Sequence, residues 1–156
     1  MMLFGPGLVT WIVMDSLILL RLMTHPLPVP LRSTIGIQLA PPSVGCLAYL
    51  SFAEGPPDKF VHFLLGYATL QVFILLRLNA WIRAHPFGPG MWAFTFGVAA
   101  LAGSTLICLE RQPAGFIGSL AWPLFIFANA FIGYIAVRTL ALAADGKLFP
   151  LPQPAT

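Results

Sequence analysis

The 156-residue sequence is 58% hydrophobic and only 8% charged, against roughly a quarter charged in soluble domains, so no water-soluble surface can be built from it. Its formal net charge of +3 comes from 8 Lys and Arg against 5 Asp and Glu without a basic run. That pattern is an orientation signal for a membrane protein and no footprint for nucleic acid. A span needs about 20 mainly apolar residues, so the chain has room for five spans with short loops, a single transmembrane domain over 1–156, and no soluble domain.

The first apolar run covers 7–23. It has no Lys or Arg before Arg21, carries Asp15 inside it, and lacks a small-residue cleavage site, so a removable signal peptide is not expected. An ionised carboxylate at mid-helix costs about 2.5 to 3.5 kcal/mol on insertion scales. Asp15 must therefore be protonated, paired or in polar surroundings. It is either a polar or proton-coupled functional group or a structural hydrogen-bond partner.

Pro26, Pro28 and Pro30 close that run, and a second covers 33–52. Gly36, Ala40, Pro41, Pro42, Ser43 and Gly45 make it rich in small and helix-breaking residues. A mid-span proline removes a backbone bond and kinks a helix at a cost of about 3 kcal/mol unless neighbours compensate. Pro41 and Pro42 thus predict a kink, which serves either to bow the helix around a pore or simply to pack it.

Gly55, Pro56 and Pro57 precede the third run, 60–82, and Pro86, Gly88, Pro89 and Gly90 follow it. The fourth run, 91–109, again concentrates small residues, with Gly97, Ala99, Ala100, Ala102, Gly103, Ser104 and Thr105. Gln112, Pro113 and Gly115 separate it from the fifth, 120–144. Cys46 and Cys108 both fall inside apolar runs and read as small core hydrophobes.

Arg21, Arg32, Arg77, Arg83, Arg138 and Lys147 fall on one side of this arrangement, and only Lys59 and Arg111 on the other. The positive-inside rule then puts the first and third connections and the C-terminus in the cytoplasm, with residue 1 outside. Arg21, Arg77 and Arg138 lie near cytoplasmic helix ends. They act there either as snorkelling anchors or as an anion-attracting vestibule.

The segment Ile18-Leu19-Leu20-Arg21-Leu22 recurs as Ile74-Leu75-Leu76-Arg77-Leu78, the His25-Pro26 turn recurs as His85-Pro86, and a weaker copy surrounds Arg138. The arginines are 56 and 61 residues apart, about one helical hairpin with its loops, which predicts a repeated two-helix unit. Runs two and four are its inner members, since small residues permit close backbone approach and broken helix is tolerated where it lines a cavity. On this reading the chain starts with an outer helix whose inner partner is absent, in the middle of a repeat.

The segments Leu31-Arg32-Ser33-Thr34-Ile35-Gly36-Ile37-Gln38-Leu39-Ala40-Pro41, Trp92-Ala93-Phe94-Thr95-Phe96-Gly97-Val98 and Trp122-Pro123-Leu124-Phe125-Ile126-Phe127 resemble stretches of TehA-type tellurite-resistance and dicarboxylate transporters, the family that includes plant slow anion channels. The resemblance implies an all-α integral membrane protein with ten helices per protomer, five inner ones around a central pore, assembled as a homotrimer. The present chain would supply helices six to ten, and the N-terminal half of the protomer would be missing. The implied function is transport of small anions such as chloride, nitrate, dicarboxylates or tellurite, with the chain inactive alone. The alternative is a small structural or regulatory membrane protein that pairs with a separately encoded half.

The resemblance also implies a pore gate, a phenylalanine that matches Phe96, with Phe94 as the runner-up. A bulky apolar ring in a narrow tube excludes hydrated ions by size and dewetting. His25, His62 and His85 have no metal-ligand spacing, and neither a hydrolase nor a phosphate-loop motif occurs. No enzyme activity, cofactor or metal is expected, and the expected partners are a lipid bilayer, the inner (plasma) membrane, and small anions.

Overall fold

A computed structural model describes residues 2–84 and 86–146 of the chain. His85 and Lys147, used above for the repeat and the orientation, lie outside the described residues. The order is α1 (Phe4–Thr24), a 3-10 helix (Val29–Leu39), α2 (Ala40–Leu50), α3 (Lys59–Arg77), α4 (Asn79–Ile82), a short 3-10 turn (Pro89–Trp92), α5 (Ala93–Arg111), α6 (Phe116–Ser119) and α7 (Ala121–Ala144). Helical stretches long and apolar enough to cross a membrane are Phe4–Thr24, Lys59–Arg77, Pro89–Arg111 and Phe116–Ala144.

The expected second span is not one α-helix. It winds as a 3-10 helix over Val29–Leu39 and changes to α-helix at Ala40. Pro41 and Pro42 therefore sit in the first turn of α2 rather than inside a continuous helix. Proline is tolerated there because first-turn N–H groups have no intrahelical acceptor. What the structure shows at this point is a change of winding.

A 3-10 helix has three residues per turn, so side chains three apart eclipse and form straight rows. One row, Ser33, Gly36 and Leu39, faces α5 and the 3-10 turn that leads into it. A Cβ on Gly36 would lie 2.4 Å from the Phe94 ring, one on Gly90 would lie 2.3 Å from Ser33 Oγ, and one on Gly97 would lie 2.8 Å from the Ala40 nitrogen. The second row, Arg32, Ile35 and Gln38, faces α1, α3 and α4, with the Arg32 guanidinium over Trp81 and Gln38 bonded to Asp15. The third, Leu31, Thr34 and Ile37, is the open one: Leu31 and Ile37 are exposed.

Helix α5 is the central element, packed on α2, α7 and the 3-10 helix. It runs parallel to α2, since Gly97 meets Leu39 and Ala40, Ser104 Oγ lies 3.2 Å from the Ser43 carbonyl, and Arg111 reaches Leu50. Leu39, Cys46 and Leu50, with Leu64 of α3 and Leu101 and Cys108 of α5, form the core. By contrast α1 lies at the edge with Asp15 as its only buried residue.

Two polar devices fix the end opposite the arginine-rich one. Arg111 donates to the carbonyl of Leu50 at 2.7 Å, one of those that helix geometry leaves without a partner at a C-terminus, and to that of Ala53 in the following loop at 2.6 Å. Asp58 caps α3, accepting from the N–H groups of Phe60 at 3.0 Å and Val61 at 2.9 Å. The Tyr49 hydroxyl also donates to Asp58 and, with the Val61 and Phe60 N–H groups, holds its carboxyl below the ordinary range.

Two outcomes are expected. Gly97→Ala should destabilise the chain by about 1 to 3 kcal/mol through overpacking against backbone, whereas Gly45→Ala, with nothing within 4 Å of the new methyl, should not; thermal unfolding in detergent compares the two. A depressed folded pKa means that Asp58 contributes stability fully above its unfolded value, about 3.9, and that the contribution disappears as pH falls through the lower folded value. Asp58→Asn should flatten the acid limb of the unfolding midpoint against pH, and an unchanged limb would count against the cap.

Candidate functional site

The change of winding at Leu39-Ala40 is the point where the most special features meet. Two carbonyls are affected by the prolines. The Ala40 N–H satisfies Ile37 by a 3-10 bond. Gln38 stands three residues before Pro41 and four before Pro42, and neither has an N–H to donate. Small residues on α5 let the two backbones close around this point, Gly97 above all.

Phe96 is the neighbour of Gly97 and points elsewhere. It is 60% exposed, whereas Phe94 is 9% exposed, covers Gly36 and meets the Phe131 ring edge-on at 6.2 Å. Phe94 is thus a wedge between the 3-10 helix, α5 and α7. Phe96 belongs to a stripe with Ala99, Gly103, Leu106 and Glu110, which are exposed or half-buried. That spacing marks one face of a helix; it is open at Phe96 and Ala99, and at Gly103 it meets Leu47 of α2, 3.6 Å from where a Cβ would stand.

Behind the 3-10 helix lies a polar network that fixes it to the outer helices. Asp15, 7% exposed, accepts from Gln38 Nε2 at 3.0 Å on one oxygen and from the Tyr67 hydroxyl on the other. Gln71 is buried one turn along α3 from Tyr67. The Trp11 ring meets Tyr67 edge-on at 5.7 Å, and its indole N–H is buried with no partner among the described residues. Asp15 is therefore paired, and what it holds is the second row of the 3-10 helix. Gln38, Tyr67 and Gln71 were not singled out from the sequence, although Gln38 and Gln71 are the glutamines inside apolar runs.

Arg21, Arg77 and Arg138 are exposed and share one end of the bundle with Arg32 and Arg83. Trp92 Nε1 donates to Thr139 Oγ1 at 3.0 Å and Arg138 stacks over Phe87 at 5.3 Å, which ties the end of α7 to the start of α5 there. The opposite end carries Glu54, Asp58 and Glu110 beside Lys59 and Arg111. No cluster of three or more His, Cys, Asp or Glu suited to a metal occurs among the described residues. Phe96, the Pro41-Pro42 turn and the Asp15 network are thus brought to one region, and the three arginines to one end.

Removal of the Asp15 carboxylate should strand two donors. Asp15→Leu is expected to lower stability by about 2 to 6 kcal/mol, since each of the two stranded groups costs about 1 to 3 kcal/mol. Asp15→Asn, which keeps an acceptor, should lose less, as read by thermal unfolding.

Residues 1–140 match the family described as SLAC1, voltage-dependent anion channel. The chain is also 36% identical over 146 residues to a protein of Haemophilus influenzae described as a tellurite resistance protein TehA homolog, an alignment that covers 94% of this chain and 44% of that relative. The chain therefore spans about half the length of the curated relative it matches. With its apolar helices and a family match over most of its length, the chain belongs to the SLAC1 family of anion transporters.

Proposed function

We propose that the broken helix Val29–Leu50 and α5 are an inner, pore-lining pair in a conduit for small anions, and that Phe96 is its plug. The observation that carries this reading is the exposed Phe96 in the first turn of α5, because it stands next to Gly97, a glycine pressed on the helix break at Leu39-Ala40. A lumen lined by small residues and blocked by one ring accounts for that exposure. Phe94, by its burial, is a packing residue in this scheme.

The broken helix counts as the fifth crossing. Its 11 residues of 3-10 helix at about 2.0 Å each and 11 of α-helix at about 1.5 Å each give a summed rise of about 38 Å, more than a hydrocarbon core of about 30 Å. Two inner helices cannot enclose a lumen. The chain is therefore assigned to helices six to ten of a ten-helix protomer in a homotrimer, and conduction to its assembly with the complementary N-terminal helices, on the same or a separate polypeptide. The arginine-rich end faces the cytoplasm, with the N-terminus of this segment outside, in the inner (plasma) membrane. Arg21, Arg77 and Arg138 then serve that face as anchors or vestibule. The name of the Haemophilus influenzae relative puts tellurite among the candidate anions, beside chloride, nitrate and dicarboxylates.

Two measurements test the reading. In an intact protomer, Phe96→Ala should raise anion current in oocytes or planar bilayers at equal surface expression, and unchanged current would count against the plug. Liposomes containing only residues 1–156 should show no anion flux above empty vesicles, and flux from this chain alone would overturn the assignment to a partial pore.

A further inference from the structure

The arginine-rich end is not uniform. Arg21, Arg77, Arg83 and Arg138 are exposed, whereas Arg32 is half-buried on the second row of the 3-10 helix. Its guanidinium carbon lies 4.7 Å from the centre of the Trp81 ring, and Trp81 is itself packed against the core. The Arg32 Nε–H is buried without a hydrogen-bond partner, and Arg32 makes no ion pair, among the described residues. Asp15, on the same side of the 3-10 helix, is occupied by Gln38 and Tyr67.

We propose that Arg32, seated on Trp81, is a binding site for an oxyanion of the phosphate or carboxylate type. An aromatic face behind a guanidinium holds the plane fixed and desolvates one side of it. With Nε buried, the two Nη groups remain as a rigid fork of N–H donors that matches two oxygens of one ligand, which an ammonium cannot do. Among the described residues no acid neutralises the charge, which leaves the guanidinium free for an added anion. Free anions and the phosphate of a lipid headgroup share this chemistry. The site goes beyond the vestibule formed by Arg21, Arg77 and Arg138, and its occupancy is read without flux, so its failure and that of the transport reading are separable.

The test uses the full chain with Trp11, Trp92 and Trp122 changed to Phe, so that Trp81 alone reports, in nanodiscs of phosphatidylcholine or of phosphatidylcholine with phosphatidylglycerol. Quenching by iodide is compared with quenching by neutral acrylamide. Arg32→Gln should weaken iodide quenching by about tenfold, the lower end of the enrichment that fixed charge beside a low-dielectric wall produces, and leave acrylamide quenching unchanged. Inorganic phosphate should protect Trp81 from iodide in phosphatidylcholine discs if free oxyanions are the ligand. Protection by phosphatidylglycerol alone would assign the site to a headgroup. Arg32→Lys should keep iodide enrichment and lose phosphate or lipid protection, which decides the matter where Arg32→Gln fails to fold by circular dichroism. Equal iodide quenching in Arg32→Gln, absence of protection by either phosphate or lipid, or full protection in Arg32→Lys would overturn the site.

Discussion

A helix that cannot complete itself organises this molecule. Pro41 and Pro42 withhold the two donors that the Gln38 carbonyl would use in either helical winding, so the chain enters α2 from a 3-10 helix rather than from a preceding α-turn. Three-fold winding sorts the segment into rows: one closes on α5 through Gly36 and the Gly97 contact, one is held by Asp15 and Trp81, and one is left open. With α-helical winding the side chains would spiral, and Arg32, Ile35 and Gln38 would not share a direction.

The same segment explains why a carboxylate is placed on the most exposed helix. A 3-10 helix has poorer hydrogen-bond geometry than an α-helix and is rarely long, so 11 residues of it need external support. Asp15 supplies support from α1 and Tyr67 from α3, while Phe94 wedges the opposite row. Phe96, two residues from that wedge, inherits its position from a scaffold fixed on both sides.

Much of this was legible in the sequence. Apolar runs, proline clusters and the skew of arginines gave the membrane, most helix limits and the two unlike ends, because each depends on local composition. The small residues of 33–52 and 91–109 gave their pairing, since only close approach requires Gly97. The 3-10 winding was not legible: two prolines predict a disturbed helix, but whether it kinks or rewinds depends on the glycine contacts with α5. The partners of Asp15 were equally hidden, because Gln38 and Tyr67 lie 23 and 52 residues away and only packing brings them together. Of the two phenylalanines, the sequence ranked Phe96 by motif alone, and burial now separates it from Phe94.

The parallel course of α2 and α5 has an electrical consequence. Adjacent antiparallel helices cancel each other's macrodipoles, but a parallel pair adds them, leaving partial positive charge at both N-termini and partial negative charge at both C-termini. The N-termini of α2 and α5 stand toward Arg32 and Trp92, and their C-termini toward Arg111. Arg111, bonded to the last carbonyl of α2 and to Ala53 in the loop beyond it, masks the negative pole of that helix. The pair thus carries a field that points one way along its axis, positive toward the start of α5 and blunted by Arg111 at the other end, a built-in asymmetry that owes more to backbone direction than to any side chain.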